Sequence, residues 1–128
     1  MTETTARKIL VLGASGLIGR FVTDDLRLRG FQVFGVARHF TPSQKGSAFD
    51  LELPVMSMDA ESLVRLIRER EIETTVNCLG VLQNGPGSDV SAVHRDFVER
   101  LLAAIRDCGR GVRLIHISIP GAARLRSS

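Results

Sequence analysis

The chain contains neither tyrosine nor tryptophan, and its only lysines are Lys8 and Lys45. No phenol is available to move a proton at a reaction centre. Cysteine is almost as scarce. Cys78 falls in an expected buried strand and Cys108 at an expected helix end, with neither metal-ligand spacing nor a histidine cluster, so both read as core thiols in a reducing compartment. No apolar run approaches the roughly 18 to 20 residues of a membrane span. The start, MTETTARK, lacks the apolar stretch of a secretory signal and Glu3 argues against a transit peptide, so a soluble cytoplasmic protein is expected. The net charge of +3 is carried almost entirely by arginine. These arginines are scattered over expected helix faces beside Asp24, Asp25, Glu69, Glu71 and Glu99, unlike the clustered patch that a nucleic acid requires.

What the chain does contain is one dense stretch at residues 8–30, KILVLGASGLIGRFVTDDLRLRG. Ile9, Leu10, Val11 and Leu12 run straight into Gly13, and apolar residues then recur at Leu17, Ile18, Phe21, Val22, Leu26 and Leu28, a change from strand to helix spacing. Between the two lie Gly13, Gly16 and Gly19, spaced G-x-x-G-x-x-G. Gly13 suits the tight turn out of the strand, Gly16 lets the backbone approach a pyrophosphate, and Gly19 lets the helix pack close to the sheet. The backbone N–H groups of the turn and the first helical residues, Ser15, Leu17 and Ile18 among them, then face the phosphates with the positive end of the helix dipole. Turns and helix packing recruit glycine for structural reasons alone. Here the triplet stands between a strand and a helix, the setting in which the pattern carries meaning.

GASGLIGR after an aliphatic strand resembles the extended and atypical short-chain dehydrogenase/reductase families, akin to sugar-nucleotide epimerases and to the NADPH-binding accessory subunit of respiratory complex I. The rest of the chain fits one domain over residues 8–121, with tails at 1–7 and 122–128. Gly30 stops the first helix, and residues 31–37 form a second strand. Where NAD-specific folds place an acid on the ribose hydroxyls, the chain offers Arg38 and His39. An arginine there suits the 2′-phosphate of NADP, since its planar fork makes two charge-assisted bonds, and Arg20 is a second clamp; alternatively both are solvated.

After a polar loop holding Pro42, residues 47–53 read as a third strand with Asp50-Leu51 at its end. Asp59 caps a helix over 60–70 whose Leu63, Leu66 and Ile67 form one stripe. A fourth strand covers 74–80, and residues 81–88 form a loop that offers Gln83 and Asn84 to a ligand. A long helix over 90–108 carries Val93, Phe97, Leu101, Ala104 and Ile105 on one face, with Gly109 as its stop. His94 on its first turns reads as a surface or capping histidine rather than an acid–base group. A fifth strand covers 112–119. Alternating strands and helices give an α/β fold, a parallel doubly wound sheet of Rossmann type in the order 3-2-1-4-5 with right-handed crossovers.

The resemblance implies roles for the strand ends. Asp50 and Leu51 would border the adenine ring, and the backbone of Cys78, Leu79 and Gly80 would lie beside the nicotinamide ribose, with Asn77 either a ligand or an amide satisfied in the core. Ser118 would polarise a substrate carbonyl. The tyrosine and lysine that move the proton in those families are missing, so the Tyr-x-x-x-Lys pair is absent. NADP(H) is the expected cofactor, with NAD(H) as the alternative and no metal. Three readings follow: a module that binds cofactor without hydride chemistry, the cofactor half of a reductase or epimerase, or a non-functional fragment. Because residues 112–119 would be an apolar sheet edge, self-association or a protein partner at that strand is expected as well.

Overall fold

The computed structural model describes residues 7–43, 48–79 and 90–117. Strand β1 (Lys8–Leu12) leads into helix α1 (Leu17–Leu28), followed by β2 (Gln32–Ala37), β3 (Asp50–Glu52), α2 (Ala60–Glu69), β4 (Thr74–Asn77), α3 (Val90–Asp107) and β5 (Arg113–His116). The strands form one sheet in the order β3-β2-β1-β4-β5, and every neighbouring pair is parallel. The expected order therefore holds. β1 lies between β2 and β4, with Leu12 level with Val36 on one side and Asn77 on the other.

Alternation along the strands divides the aliphatic runs between two cores. Leu10, Leu12, Phe34 and Val36 pack with Leu63, Leu66 and Ile67 of α2 and Phe97, Leu101 and Ala104 of α3. Ile9, Val11, Val33 and Ala37 face the other way, toward Ile18, Val22 and Leu26 of α1. A sheet buried on both sides needs apolar residues at successive positions, which is why these strands read as unbroken runs.

Several elements are shorter than expected. β3 is confined to Asp50–Glu52, β4 ends at Asn77 with Cys78 and Leu79 outside it, and β5 ends at His116 with Ile117 outside it, while residues 80, 118 and 119 of the expected strands lie outside the described residues. A short 3-10 turn at Val55–Ser57, which the sequence pattern did not reveal, follows Pro54. Arg100 of α3 donates to the carbonyls of Met56 (2.6 Å) and Met58 (3.1 Å) and so fastens that turn. The helix ends follow their signals closely. Gly30 has φ +96°, with Phe31 N–H donating to the Leu26 carbonyl and Gly30 N–H to that of Arg27, the paired closure that a left-handed residue allows. Asp59 caps α2 by accepting from Ser62 N–H at 2.8 Å. That bond holds the Asp59 carboxyl below its usual range.

The end of α2 repeats the Gly30 geometry without glycine. Ile72 N–H donates to the Ile67 carbonyl and Glu71 N–H to that of Arg68, with Glu71 at φ +55°. A side chain in the left-handed region costs about 1 to 2 kcal/mol. The exposed pair between Lys8 and Glu71, at 3.7 Å, offsets little of this. Glu71→Gly should accordingly raise stability by about 0.5 to 1 kcal/mol once the freer unfolded chain is counted. An unchanged or lower thermal midpoint would contradict this account of the helix end.

Candidate functional site

The glycine turn sits at the carboxyl edge of the sheet, where the strand order reverses beside β1. Gly13 has φ +83°, and a Cβ there would meet the Cys78 carbonyl carbon and the Leu79 amide at 3.2 Å. Gly13 and Ala14 N–H both donate to the Val36 carbonyl, at 2.8 and 2.9 Å, which pins the turn to the end of β2. A Cβ on Gly19 would overlap the Gly13 carbonyl oxygen and lie 2.7 Å from its carbon, so α1 can seat on the turn only with glycine there. Gly16 differs from both. Its backbone is in the ordinary extended region (φ −75°), it is exposed, and a Cβ would meet only the Gly13 oxygen at 3.7 Å, ordinary contact. The fold does not require glycine at 16.

Gly16 is also the residue before α1, and no side chain caps that end. The first α-helical bond runs from Arg20 N–H to the Gly16 carbonyl, leaving the amides of Leu17, Ile18 and Gly19 with no carbonyl inside the helix. No acid lies in the first turn to neutralise the dipole. α2, by contrast, has both the Asp59 cap and Glu61. Ser15 and Ile18 are half-buried, and Leu17 is 75% exposed beside the turn.

The structure brings Arg38 to this edge and leaves it exposed just beyond β2. Arg20 stands on the first turn of α1, its Nε donating to Asp24 at 3.2 Å. Asp50 is placed differently from the expectation. It opens β3 opposite Gly35 instead of closing the strand, and its side chain is 4% exposed. Gly35 is the reason, since a Cβ there would stand 3.1 Å from the Asp50 carboxylate. The space lets Arg27 of α1 reach in, one nitrogen donating to Asp50 at 2.9 Å and to the Val33 carbonyl at 2.8 Å. Leu51 points to the opposite face and packs against the α2–α3 core. The acid at the carboxyl end of β3 is Glu52, level with Ala37. The sequence reading passed over both Glu52 and Gly35; a glycine inside an otherwise apolar strand was the available signal.

Asn77 is buried, and both ends of its carboxamide are engaged. Its oxygen accepts Leu79 N–H at 3.1 Å, and its nitrogen lies 3.1 Å from His116 Nδ1. The amide nitrogen can only donate, so His116 Nδ1 accepts and the ring proton resides on Nε2. Asn77 is thus the core-satisfied amide of the two readings, joining β4 to β5. Cys78 N–H continues the ladder to the Leu12 carbonyl at 2.9 Å. Gly80, Gln83, Asn84 and Ser118 lie outside the described residues. His94 is half-buried on α3. Among the described residues no group of three His, Cys, Asp or Glu is placed to hold a metal, and no helix is long and apolar enough to cross a membrane.

With this geometry in view, the chain belongs to the NAD dependent epimerase/dehydratase family, whose model matches residues 9–119. It is 25% identical over 115 residues to dTDP-6-deoxy-L-talose 4-dehydrogenase (NAD(P)(+)) of Kitasatospora kifunensis, covering 90% of this chain and 36% of that protein. A short-chain dehydrogenase/reductase superfamily protein of Agrobacterium tumefaciens, solved with bound NAD, superposes with a TM-score of 0.63 at 27% identity, over 86% of this chain and 32% of the other. The NAD-bound UDP-glucose-4-epimerase of Stenotrophomonas maltophila gives 0.67 at 20% identity, over 86% and 36%. The chain therefore spans about a third of the length of these relatives.

One reactive group at the edge can be judged directly. Burial pushes the Cys78 thiol up to about 11. The folded state holds the proton more tightly than the unfolded chain, with its ordinary thiol near ~8.5, so the contribution to stability is whole below that value and is lost as pH rises toward about 11. Cys78 should stay unmodified by iodoacetamide at neutral pH in the native chain and react once denaturant is added, as read by peptide mass mapping. Rapid native alkylation would show a thiolate that this environment does not explain.

Proposed function

We propose that this chain is an NAD(P)-binding Rossmann domain with a preference for NADP(H), holding the dinucleotide along the carboxyl edge between the glycine turn and the ends of β2 and β4. The observation that carries the reading is Gly16: exposed, unstrained and unneeded by the fold, it stands at the uncapped start of α1, where only an approaching ligand makes a side chain costly. The amides of Leu17, Ile18 and Gly19 would receive the pyrophosphate. Arg38 and Arg20 would receive the 2′-phosphate, and no carboxylate ends β2, where Ala37 stands. Asp50, committed to Arg27, supports α1 and β3 in this reading, while the edge beside the adenine belongs to Glu52 and Leu53. Backbone at Cys78, Leu79 and Gly80 would line the nicotinamide ribose, and Ser118 would face a substrate carbonyl.

A bound nicotinamide supplies hydride transfer. The chain supplies binding and orientation but has no tyrosine to move the accompanying proton, so binding without turnover is expected of these 128 residues. A second reading, the cofactor-binding portion of a reductase or sugar-nucleotide epimerase, is favoured by the fact that the relatives are about three times as long.

Gly16→Val tests the central claim: NADPH binding, followed by nicotinamide fluorescence, should be abolished while circular dichroism shows an intact fold. Retained affinity would return Gly16 to a structural role. For the cofactor preference, Arg38→Ala should weaken NADPH by roughly tenfold to a hundredfold and NADH hardly at all, the scale of a charge-assisted hydrogen bond. Equal losses for the two cofactors would remove Arg38 from the 2′-phosphate.

The partner assignment rests on β5. It pairs with β4 on one side and with no other strand among the described residues, and Arg113, Ile115 and His116 are exposed. A strand edge without a partner among the described residues, carrying one charged residue, is a template for a further strand. We assign that strand to a second copy of the chain. Sedimentation at high micromolar concentration should show dimers that Ile115→Lys disperses; a monomer under those conditions would refute the assignment.

A further inference from the structure

The bend that carries Arg38 is held at both ends, and the second hold is a carboxylate. On the near side, Ala37 is the last residue of β2, and its carbonyl accepts Leu53 N–H at 2.9 Å. On the far side, Phe40 buries its ring against the α1-facing core and donates its N–H to Glu52 Oε2 at 3.0 Å. His39 Nδ1 lies 3.9 Å from the same oxygen. Between these anchors only Arg38 and His39 project outward, both exposed. Arg38 has no hydrogen-bond or ion-pair partner among the described residues, whereas Arg20, Arg27 and Arg100 are each engaged. No side chain among them holds its guanidinium; what is anchored is the backbone it projects from, by the Ala37–Leu53 bond, the buried Phe40 ring and the Glu52 carboxylate.

We propose that Glu52 is a positioning residue for Arg38, fixing the bend so that the guanidinium is presented to a 2′-phosphate, and that it thereby sets the preference for phosphorylated over unphosphorylated dinucleotide. This rests on the reading of Arg38 given above. Holding the backbone that carries a donor before the ligand arrives removes part of the ordering cost of binding, and that saving applies only to the ligand the donor touches. The charge of Glu52 contributes nothing favourable toward a phosphate. Its useful feature is an acceptor that reaches the Phe40 amide.

The test compares NADPH and NADH dissociation constants for the 128-residue chain and for Glu52→Ala, Glu52→Gln and Arg38→Ala. Glu52→Ala should lower the ratio of NADPH to NADH affinity by about threefold to tenfold, the scale of the one hydrogen bond that anchors the bend. Glu52→Gln keeps an acceptor for Phe40 N–H, loses the charge, and should keep or raise the ratio. Because each variant is compared with itself, loss of folded protein weakens both cofactors alike and cancels. An unchanged ratio in Glu52→Ala, while Arg38→Ala lowers it, overturns the inference and leaves the Arg38 reading standing. A fall in Glu52→Gln as deep as in Glu52→Ala overturns it too, since the acceptor would then not be what matters. An unchanged ratio in Arg38→Ala, or binding of neither cofactor, overturns the underlying reading and the inference together.

Discussion

The carboxyl edge depends on how closely α1 sits on the end of β1. Gly19 rests against the Gly13 carbonyl with no room for a single methyl, so the helix axis is brought as near the sheet as backbone allows. That proximity keeps Ala14 in the core and lets Gly13 and Ala14 share the Val36 carbonyl. The field of a helix end falls away within its first turn, so a helix displaced by the width of a side chain would present its amides to solvent instead of to the sheet edge. Close packing at Gly19 and the open, uncapped helix start at Gly16 are thus two consequences of one geometry.

Farther along α1 the same helix is tied to the outer strands by charge. Arg27 crosses to Val33 of β2 and Asp50 of β3, and the Asp50 carboxylate is almost fully removed from water. Burying a carboxylate is costly unless it is paired and hydrogen-bonded, so this contact is better regarded as a register device than as a large net stabilisation. β3 has few other means of finding its place: it is three residues long and, among the described residues, pairs only with β2. Its two acids lie on the same face two residues apart. Asp50 is drawn inward under α1, and Glu52 stands at the rim, where its carboxylate accepts Phe40 N–H.

On the other side of β1, Asn77 does for β4 and β5 what Arg27 does for β2 and β3. Its carboxamide reaches across to His116 and back to Leu79 N–H. A buried amide with both ends satisfied is fixed in orientation, and it fixes its neighbours. The backbone leaving β4 past Cys78 and Leu79 is held against Gly13 by this arrangement.

The aliphatic runs, the spacing of Gly13, Gly16 and Gly19, the Asp59 cap and the stop at Gly30 are local signals, and by themselves they determined the main helices and strands, their order and the position of the glycine turn. They could do so because each depends on residues within a few positions of one another. Strand lengths were less legible, since a strand also ends where its neighbour stops pairing: β3 closes at Glu52, level with Ala37, the last residue of β2. The roles of the polar residues were decided by tertiary structure alone. Asp50 and Glu52 look alike in sequence, but the missing side chain of Gly35, 15 positions before Asp50 in the chain, admits Arg27 to the first and leaves the second to Phe40. Asn77 likewise could be a ligand or a core amide until His116, 39 residues away, came to stand beside it. Pairing of polar groups across the sheet is a property of distances that no local pattern encodes, and there the tertiary structure had the deciding part.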